Sequence, residues 1–204
     1  MKISSINIEN FRQYYNHIDI DLNTEQDKNI VLIGGRNGYG KTNFLISLVW
    51  CLYGEKISQV DENFKKEIQK EKNYSQFMKQ SLNWKSASEG KDTFAIQLKI
   101  SDLELPPIKS SNNNINCIVI KRDFNVVTMK ENLFIKDDLD GEELFEDNED
   151  KINFINDYII PLDAAKFVFF DAEKIAALAE LSTKDEGSVL NDALGKILGL
   201  DIYE

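Results

Sequence analysis

The residues best suited to chemistry form one glycine-rich segment, Gly35–Thr42, with the sequence Gly-Arg-Asn-Gly-Tyr-Gly-Lys-Thr. It matches the pattern G-x-x-x-x-G-K-[ST] in full. The glycines allow the backbone to curl so that several N–H groups point at one phosphate group, and a helix beginning near Lys41 adds the positive end of its dipole. Lys41 is expected to neutralise β- and γ-phosphates, and the Thr42 hydroxyl to bind Mg²⁺. The sequence therefore predicts a site for a nucleotide with Mg²⁺.

The segments on either side of these glycines are of the kind that such a loop needs. Ile30–Ile33 is a short continuous apolar run, which is typical of a strand buried on both faces. Lys41–Tyr53 is apolar nearly all round, as expected for a helix buried against a sheet, and Gly54 is expected to end it. The alternative is a glycine turn that only joins a strand to a helix, and this context makes it the weaker interpretation.

The rest of the chain predicts further strands and helices. Alternating apolar and polar residues predict strands at 2–9, 18–22, 94–100, 115–124 and 126–135, the last two as a hairpin. Helices are predicted at 61–85, 151–160, 173–181 and 186–198. A second buried strand is predicted at Phe167–Phe170. Together these elements predict an α/β fold, in which buried parallel strands around the glycine-rich loop join an antiparallel β-sheet lobe.

Composition argues against several other kinds of site. The 204 residues include one histidine and two cysteines, too few for a zinc cluster. A triad with a histidine base would have to use His17, which lies in an alternating segment and is expected on the wet face of a strand. Cys51 and Cys117 lie in apolar runs, which predicts two buried free thiols in a reducing cytosol.

The same composition bears on localisation. The first residues show no apolar core of a signal peptide. The longest strongly apolar stretch, Phe44–Tyr53, is half of the roughly 20 residues that a membrane span needs. The sequence therefore predicts a soluble, cytoplasmic protein without a membrane partner.

Longer patterns resemble a known family. The pattern I-x-I-x-N-F-R at Ile6–Arg12, the loop and its continuation at Gly35–Leu45, and L-Y-G at Leu52–Gly54 resemble the N-terminal half of an ATP-binding-cassette (ABC) head. The nearest group is SMC-like: the chromosome-structural SMC proteins, RecF, RecN and the double-strand-break-repair ATPases. The later segments 169–175 and 197–201 are similar to the DndD family, the SMC-like ATPases of bacterial DNA sulfur modification (phosphorothioation). DndD proteins usually have glycine where Ala172 stands here.

This resemblance implies a division of the chain. Residues 1–204 would be the N-terminal half of an ABC-type ATPase head, the coiled coil and the C-terminal half being expected beyond them. Its parts would be the P-loop at 35–42, a basic helical segment at 61–91, an acidic loop at 137–150, a Q-loop-like segment at 167–175 and the start of a coiled-coil arm near 200.

The resemblance also implies cofactors and partners. ATP would be the nucleotide, bound with Mg²⁺, and the activity would be ATP hydrolysis, poor in this half alone. The missing signature and Walker B motifs would come from the C-terminal half of the same head and from a second head in a homodimer. DNA would bind through the full-length protein, which could be nucleoid-associated, and other modification or repair proteins would be partners.

The candidate site residues follow from the loop and from the resemblance. The candidate nucleotide-binding residues are Arg12, Gly35, Arg36, Asn37, Gly38, Tyr39, Gly40, Lys41, Thr42 and Asn43. The candidate catalytic residues are Lys41, Asp171 and Glu173, and the candidate Mg²⁺ ligands are Thr42 and Asp171.

Three of these candidates have plain alternatives. The resemblance implies that Arg12 reaches the ATP phosphates, but it could equally be a surface arginine paired with a carboxylate. Asp171 follows an apolar run, so it suits either a Walker B strand or a Q-loop position facing the metal; it could also simply cap the next helix. Glu173 would orient the attacking water, and Asn37 would help to position the γ-phosphate.

The charge of the chain is unevenly distributed. Its formal net charge is −11, yet residues 137–150 alone contain nine acids and no base. Between Lys65 and Lys85 there are six lysines and two acids with Tyr74, Phe77 and Trp84 interleaved. Such a segment can follow a nucleic-acid backbone, although a solvated helix face anchored by its aromatic residues is the favoured interpretation. Net acidity therefore does not exclude a DNA partner.

Two other functions remain open at this point. The chain could be a complete small P-loop NTPase or kinase with Asp171 as its Walker B residue. It could also be a non-hydrolysing assembly module.

Overall fold

One antiparallel sheet organises the part of the chain that the computed structural model describes, which is residues 1–24, 28–36, 38–105 and 115–169. Its strands are β1 (Lys2–Glu9), β2 (His17–Asp21), β3 (Thr93–Ser101), β4 (Cys117–Asn125) and β5 (Lys130–Asp137). The strand order is β2-β1-β3-β4-β5, and every neighbouring pair is antiparallel. The five strands predicted from alternation, including the β4–β5 hairpin, are confirmed.

The alternation places one apolar residue from each of the four longer strands in a common row. Pairing brings Ile6 opposite Leu98, Leu98 opposite Ile120, and Ile120 opposite Ile135. All four side chains are fully buried. Because side chains of a strand point alternately to opposite faces, this register gives the sheet one continuous apolar face. His17 lies on the edge strand β2 and is exposed, as predicted.

Seven helices accompany the sheet in the described residues. They are α1 (Lys41–Tyr53), α2 (Ile57–Val60), α3 (Glu62–Lys70), α4 (Tyr74–Lys79), α5 (Trp84–Ser88), α6 (Asn148–Phe154) and α7 (Leu162–Val168). A 3₁₀ turn over Gly54–Lys56 follows α1, and a π-helical turn over Ile155–Ile159 follows α6. The predicted helical segments 41–53, 61–85 and 151–160 are therefore confirmed. The helices on a β-sheet confirm the α/β class.

Side-chain caps explain why the polar segment after α2 breaks into three short helices. Asp61, Asn73 and Asn83 each accept a hydrogen bond from a backbone N–H in the first turn of α3, α4 and α5. Asp and Asn at this position satisfy amides that have no partner within the helix. Each cap therefore starts a new helix within the segment that was predicted to be helical.

Trp50 of helix α1 packs in an aromatic cluster that includes residues of β3 and β4. The Trp50 ring lies 5.9 Å from Phe11 and 5.2 Å from Phe94, and Phe94 lies 5.7 Å from Phe124. These four side chains are at most 1% exposed. Their burial fixes the position of α1, and with it the end of the glycine-rich loop that precedes it.

Two predicted buried strands are wrong. Ile30–Ile33 forms no strand, and its four side chains are between 40% and 91% exposed. A strand buried on both faces is covered by a layer on each, whereas this segment is exposed and no strand among the described residues pairs with it. The parallel strands expected around the loop are accordingly not formed in this part of the chain.

The second error concerns Phe167–Phe170. Residues 162–168 form α7, which begins after Pro161 and buries Ala164 and Ala165. Pro161 is the N-cap residue, and its carbonyl accepts the N–H groups of Ala164 and Ala165, both at 3.0 Å. Pro161 therefore introduces a helix that continues into the apolar residues Phe167 and Val168. Phe170 lies outside the described residues. No helix in the described part is long and apolar enough to cross a membrane.

Candidate functional site

The glycine-rich loop leads directly into α1. Gly38 and Gly40 have φ values of 82° and 95°, in the left-handed region that glycine adopts without strain. The Gly40 carbonyl accepts the N–H of Phe44 at 2.9 Å and so closes the first turn of the helix. Gly40 has no side chain to cap the first amides, and the first turn contains no acid. The positive end of a 13-residue helix is thus available to an anion.

The Lys41 side chain lies along the loop. Its Nζ donates to the carbonyl oxygens of Gly35, at 2.7 Å, and of Arg36, at 3.2 Å. Lys41 and Thr42 are both exposed. The ammonium group and the hydroxyl group are therefore accessible to a ligand, as their predicted roles require.

Arg12 reaches the loop side of α1 from the segment after β1. Its Nη1 donates to Asn43 Oδ1 at 2.6 Å, and its Nη2 donates to Glu67 Oε2 at 3.2 Å. The guanidinium lies 5.0 Å from the centre of the Phe77 ring, and the side chain is only 18% exposed. Burial lowers the pKa of Arg12 below its usual value, and the charge and hydrogen bond of Glu67 oppose that shift. The structure thus brings Arg12 next to Asn43, and it also forms the carboxylate pair that was the alternative.

Hydrogen bonds fix the backbone of Arg12 as well as its side chain. Its φ is 50°, a left-handed value that a residue other than glycine rarely adopts. Its N–H donates to the Ser81 carbonyl at 2.7 Å, and its own carbonyl accepts from Asn83 Nδ2 at 2.6 Å. The segment between α4 and α5 therefore fixes where Arg12 stands relative to the loop.

Two residues at the loop were not predicted from the sequence. Asn43 Nδ2 donates to Gln13 Oε1, so Gln13 joins the same chain of hydrogen bonds as Arg12. The Tyr14 hydroxyl donates to the Gly40 carbonyl at 3.2 Å. Burial raises the pKa of Tyr14, which keeps this hydroxyl protonated as a donor. No motif marks either residue; the only available signal was that they directly follow Arg12.

The groups gathered here suit a phosphate-bearing ligand. Two cations, Lys41 and Arg12, flank a loop whose glycines leave the backbone open, and the Thr42 hydroxyl lies in the first turn of α1. A polyphosphate is recognised by this combination of cations, backbone amides and a helix N-terminus. The donor set also fits Mg²⁺ at Thr42, which would neutralise phosphate charge when bound.

The other predicted site residues are less informative. The Arg36 carbonyl accepts from Tyr39 N–H at 3.2 Å, and both side chains are exposed. Asn37, Asp171 and Glu173 lie outside the described residues. The Walker B alternative for Asp171 depended on a strand ending just before that residue, and α7 contains two of the four residues of the predicted strand, Phe167 and Val168.

The basic helical segment 61–91 has exposed lysines, which a nucleic-acid contact would need, and inward-facing aromatic residues, which anchor a solvated helix face. Its six lysines between 65 and 85 are all exposed. Tyr74 and Phe77 turn inward: the Tyr74 hydroxyl accepts from Trp50 Nε1 at 2.8 Å, and Phe77 is 4% exposed. Trp84 is 77% exposed, and Lys85 Nζ lies 4.0 Å from the Tyr15 ring. This face is thus anchored by two aromatic residues and displays a third.

Comparison with known proteins adds one positive finding. A family model described as an AAA domain matches residues 5–200 of the chain. No curated protein matches it. The matched span includes β1 from Ser5 onward, Arg12 and the glycine-rich loop, so the site described above lies inside it.

Proposed function

Because the chain belongs to the AAA domain family, we propose that it is the ATP-binding half of an SMC-like, DNA-associated ATPase head. Family membership supports nucleotide binding and an SMC-like ATPase in general terms. The finer assignment, to bacterial DNA phosphorothioation, modification–restriction or repair, is supported only by the resemblance of segments 169–175 and 197–201 to DndD.

One observation supports ATP binding most directly. Lys41 lies along a loop with two left-handed glycines at the start of α1, and Arg12 stands beside it. In this proposal Lys41 and the loop amides hold the phosphates, Arg12 adds a second cation, and Thr42 holds Mg²⁺. Magnesium supplies charge neutralisation at the phosphates when it is bound.

Hydrolysis and DNA engagement form the second part of the proposal. Asp171 would face the metal and Glu173 would help to orient water, and the C-terminal half of the head and a second head would complete the site. ATP binding would dock the two heads and hydrolysis would release them. The exposed lysines of the basic helical segment would face DNA in the full-length protein.

Titration calorimetry of Mg-ATP into the 204-residue chain tests the proposal. We expect binding by the wild-type protein, and at least about ten-fold weaker binding by Lys41→Ala, because a charge-assisted contact to phosphate is lost. Lys130→Ala is the matched control, since it removes an equal charge from an exposed position on β5. Absence of heat with the wild-type protein would contradict nucleotide binding. Equal affinity of wild type and Lys41→Ala would contradict the role of the loop.

A further inference from the structure

Glu67, on α3, is the counter-charge of the arginine at the nucleotide site. Its Oε2 lies 3.2 Å from Arg12 Nη2, while Nη1 of the same guanidinium donates to Asn43, two residues into α1 from Lys41. Arg12 therefore joins α3 to the start of the P-loop helix. Neither the loop motif nor the family match assigns a role to Glu67.

The surroundings explain why this guanidinium needs a negative partner. Its side chain is 18% exposed and lies 5.0 Å from the Phe77 ring, so it has lost most of its hydration. A largely desolvated charge is costly unless it is paired. Asn43 is a neutral acceptor, whereas Glu67 supplies the charge that opposes the effect of burial on Arg12.

The pair is nevertheless accessible from solvent. Glu67 is 38% exposed, and a cavity of about 450 Å³ is lined by Arg12, Asn43 and Glu67 among other residues. An anion entering near Asn43 would meet a guanidinium already engaged by a carboxylate. Because Nη1 already donates to Asn43 and Nη2 to Glu67, a phosphate approaching this side of the guanidinium would compete with Glu67 for its donors.

We propose that Glu67 is a competing counter-ion of Arg12: its carboxylate and a nucleotide phosphate exchange on the same guanidinium. This inference rests on the proposed function, in which Arg12 contacts the phosphates. Exchange weakens the ion pair that ties α3 to the loop. The first helix of the basic segment is thereby coupled to the nucleotide state.

The test measures Mg-ATP affinity of the 204-residue chain by calorimetry in wild type and Glu67→Gln. Glutamine keeps the length and an acceptor oxygen but removes the competing charge, so we expect binding about 3- to 10-fold tighter. The gain should disappear when the same change is made in an Arg12→Gln background. Glu62→Gln is the matched control: it lies on the same helix, removes the same charge and pairs with Lys65.

Each outcome of this test either supports or overturns the exchange. Tighter binding that depends on Arg12 supports the exchange, whereas a merely structural role for Glu67 predicts unchanged or weaker binding. Unchanged or weaker binding by Glu67→Gln, with the wild type still binding, overturns this inference and leaves the proposed function intact. An equal gain in Glu62→Gln, or a gain that persists without Arg12, also overturns it, because the cause is then net charge. Failure of wild type and variants alike to bind Mg-ATP contradicts the proposed function, and this inference with it.

Discussion

Gly40 is the residue at which backbone conformation decides whether the loop can form. Its φ of 95° is left-handed, and a Cβ at this position would lie 1.5 Å from Gln13 Nε2. The Gln13 side chain is flexible and exposed, so it can move aside. The left-handed backbone cannot be relieved in that way, and it costs an L-residue roughly 1–2 kcal/mol.

We therefore expect Gly40→Ala to lower the free energy of unfolding by about 1–2 kcal/mol and to weaken Mg-ATP binding. Urea denaturation and calorimetry measure the two effects. Adding Gln13→Ala should not restore stability, because it removes only the close contact. Gly90→Ala is the control: its φ is 81° with nothing within 4 Å of the added Cβ, so it should lose similar stability but keep nucleotide affinity. Wild-type stability of Gly40→Ala would contradict the expectation.

At this scale, the sequence predicts those residues whose role is local. Lys41 and Thr42 were identified because the motif that marks them, and the contacts that their predicted roles need, lie within eight consecutive residues. Gln13 and Glu67 were not, because each reaches the site through a contact between elements distant in the chain. No period or spacing in a single sequence encodes such a contact.

At the scale of elements, α1 is held at its C-terminal end by a buried arginine. Arg122, on β4, donates through Nε to the Cys51 carbonyl at 2.9 Å and through Nη2 to the Leu52 carbonyl at 3.1 Å. Its Nη1 pairs with Glu131, which also accepts the Tyr74 hydroxyl. The last carbonyls of a helix lack partners within it and carry the negative end of its dipole. Arg122 satisfies both requirements and ties α1 to the sheet.

Removing Arg122 should therefore destabilise the fold. The side chains of Arg122 and Glu131 are 7% and 20% exposed, so Arg122→Met leaves a poorly solvated carboxylate unpaired. We expect the free energy of unfolding, measured in urea, to fall by about 3–5 kcal/mol. Arg122→Met combined with Glu131→Gln should lose less, because no unpaired charge remains. A double variant that is less stable than Arg122→Met would contradict this explanation, because removing the unpaired charge should not cost further stability.

The strand predictions that failed were based on continuous apolar runs, whereas those based on alternation were correct. Alternation over 94–100 fixes both a period and a buried face, so β3 follows from it. The runs at 30–33 and 167–170 carry no period, and a short apolar run suits a strand or a helix equally. Pro161 and the buried pair Ala164 and Ala165 decide for a helix in the second case.

At the scale of the whole molecule, the acidic loop 137–150 is more than a solvated run of charge. Asp138 lies 2.6 Å from Lys99 Nζ on β3, and Glu143 lies 2.7 Å from Lys151 Nζ on α6. Lys151 is 6% exposed and also donates to a carbonyl of β5 at 2.9 Å. These pairs attach the loop to the sheet and to α6, so part of the net negative charge is held in the fold.

Stability of the whole chain should decline in alkali because three protonated groups are buried around α1. Burial raises the pKa of Cys51 from 9.0 to about 12. Burial also raises the pKa of Tyr53 and of Tyr74 above the ordinary 10.0, with Glu131 adding to the effect at Tyr74. Each folded-state pKa is raised, so the stability contribution is complete below the unfolded pKa and is lost as pH rises. Above pH 9 the unfolded thiol binds fewer protons than the folded one, and the free energy of unfolding must fall.

Urea denaturation at intervals between pH 8 and 10.5 measures this decline. For Cys51 alone, linkage gives a loss on the order of 2 kcal/mol by pH 10.5, to which the tyrosines add above pH 10. Cys51→Ala should be less stable at pH 8, because it leaves a small cavity, but should lose most of the slope between pH 9 and 10. Cys117→Ala is the control: its thiol is only half-buried, so most of the slope should remain. If the free energy of unfolding of Cys51→Ala falls with pH as steeply as that of wild type, groups other than Cys51 cause the alkaline sensitivity.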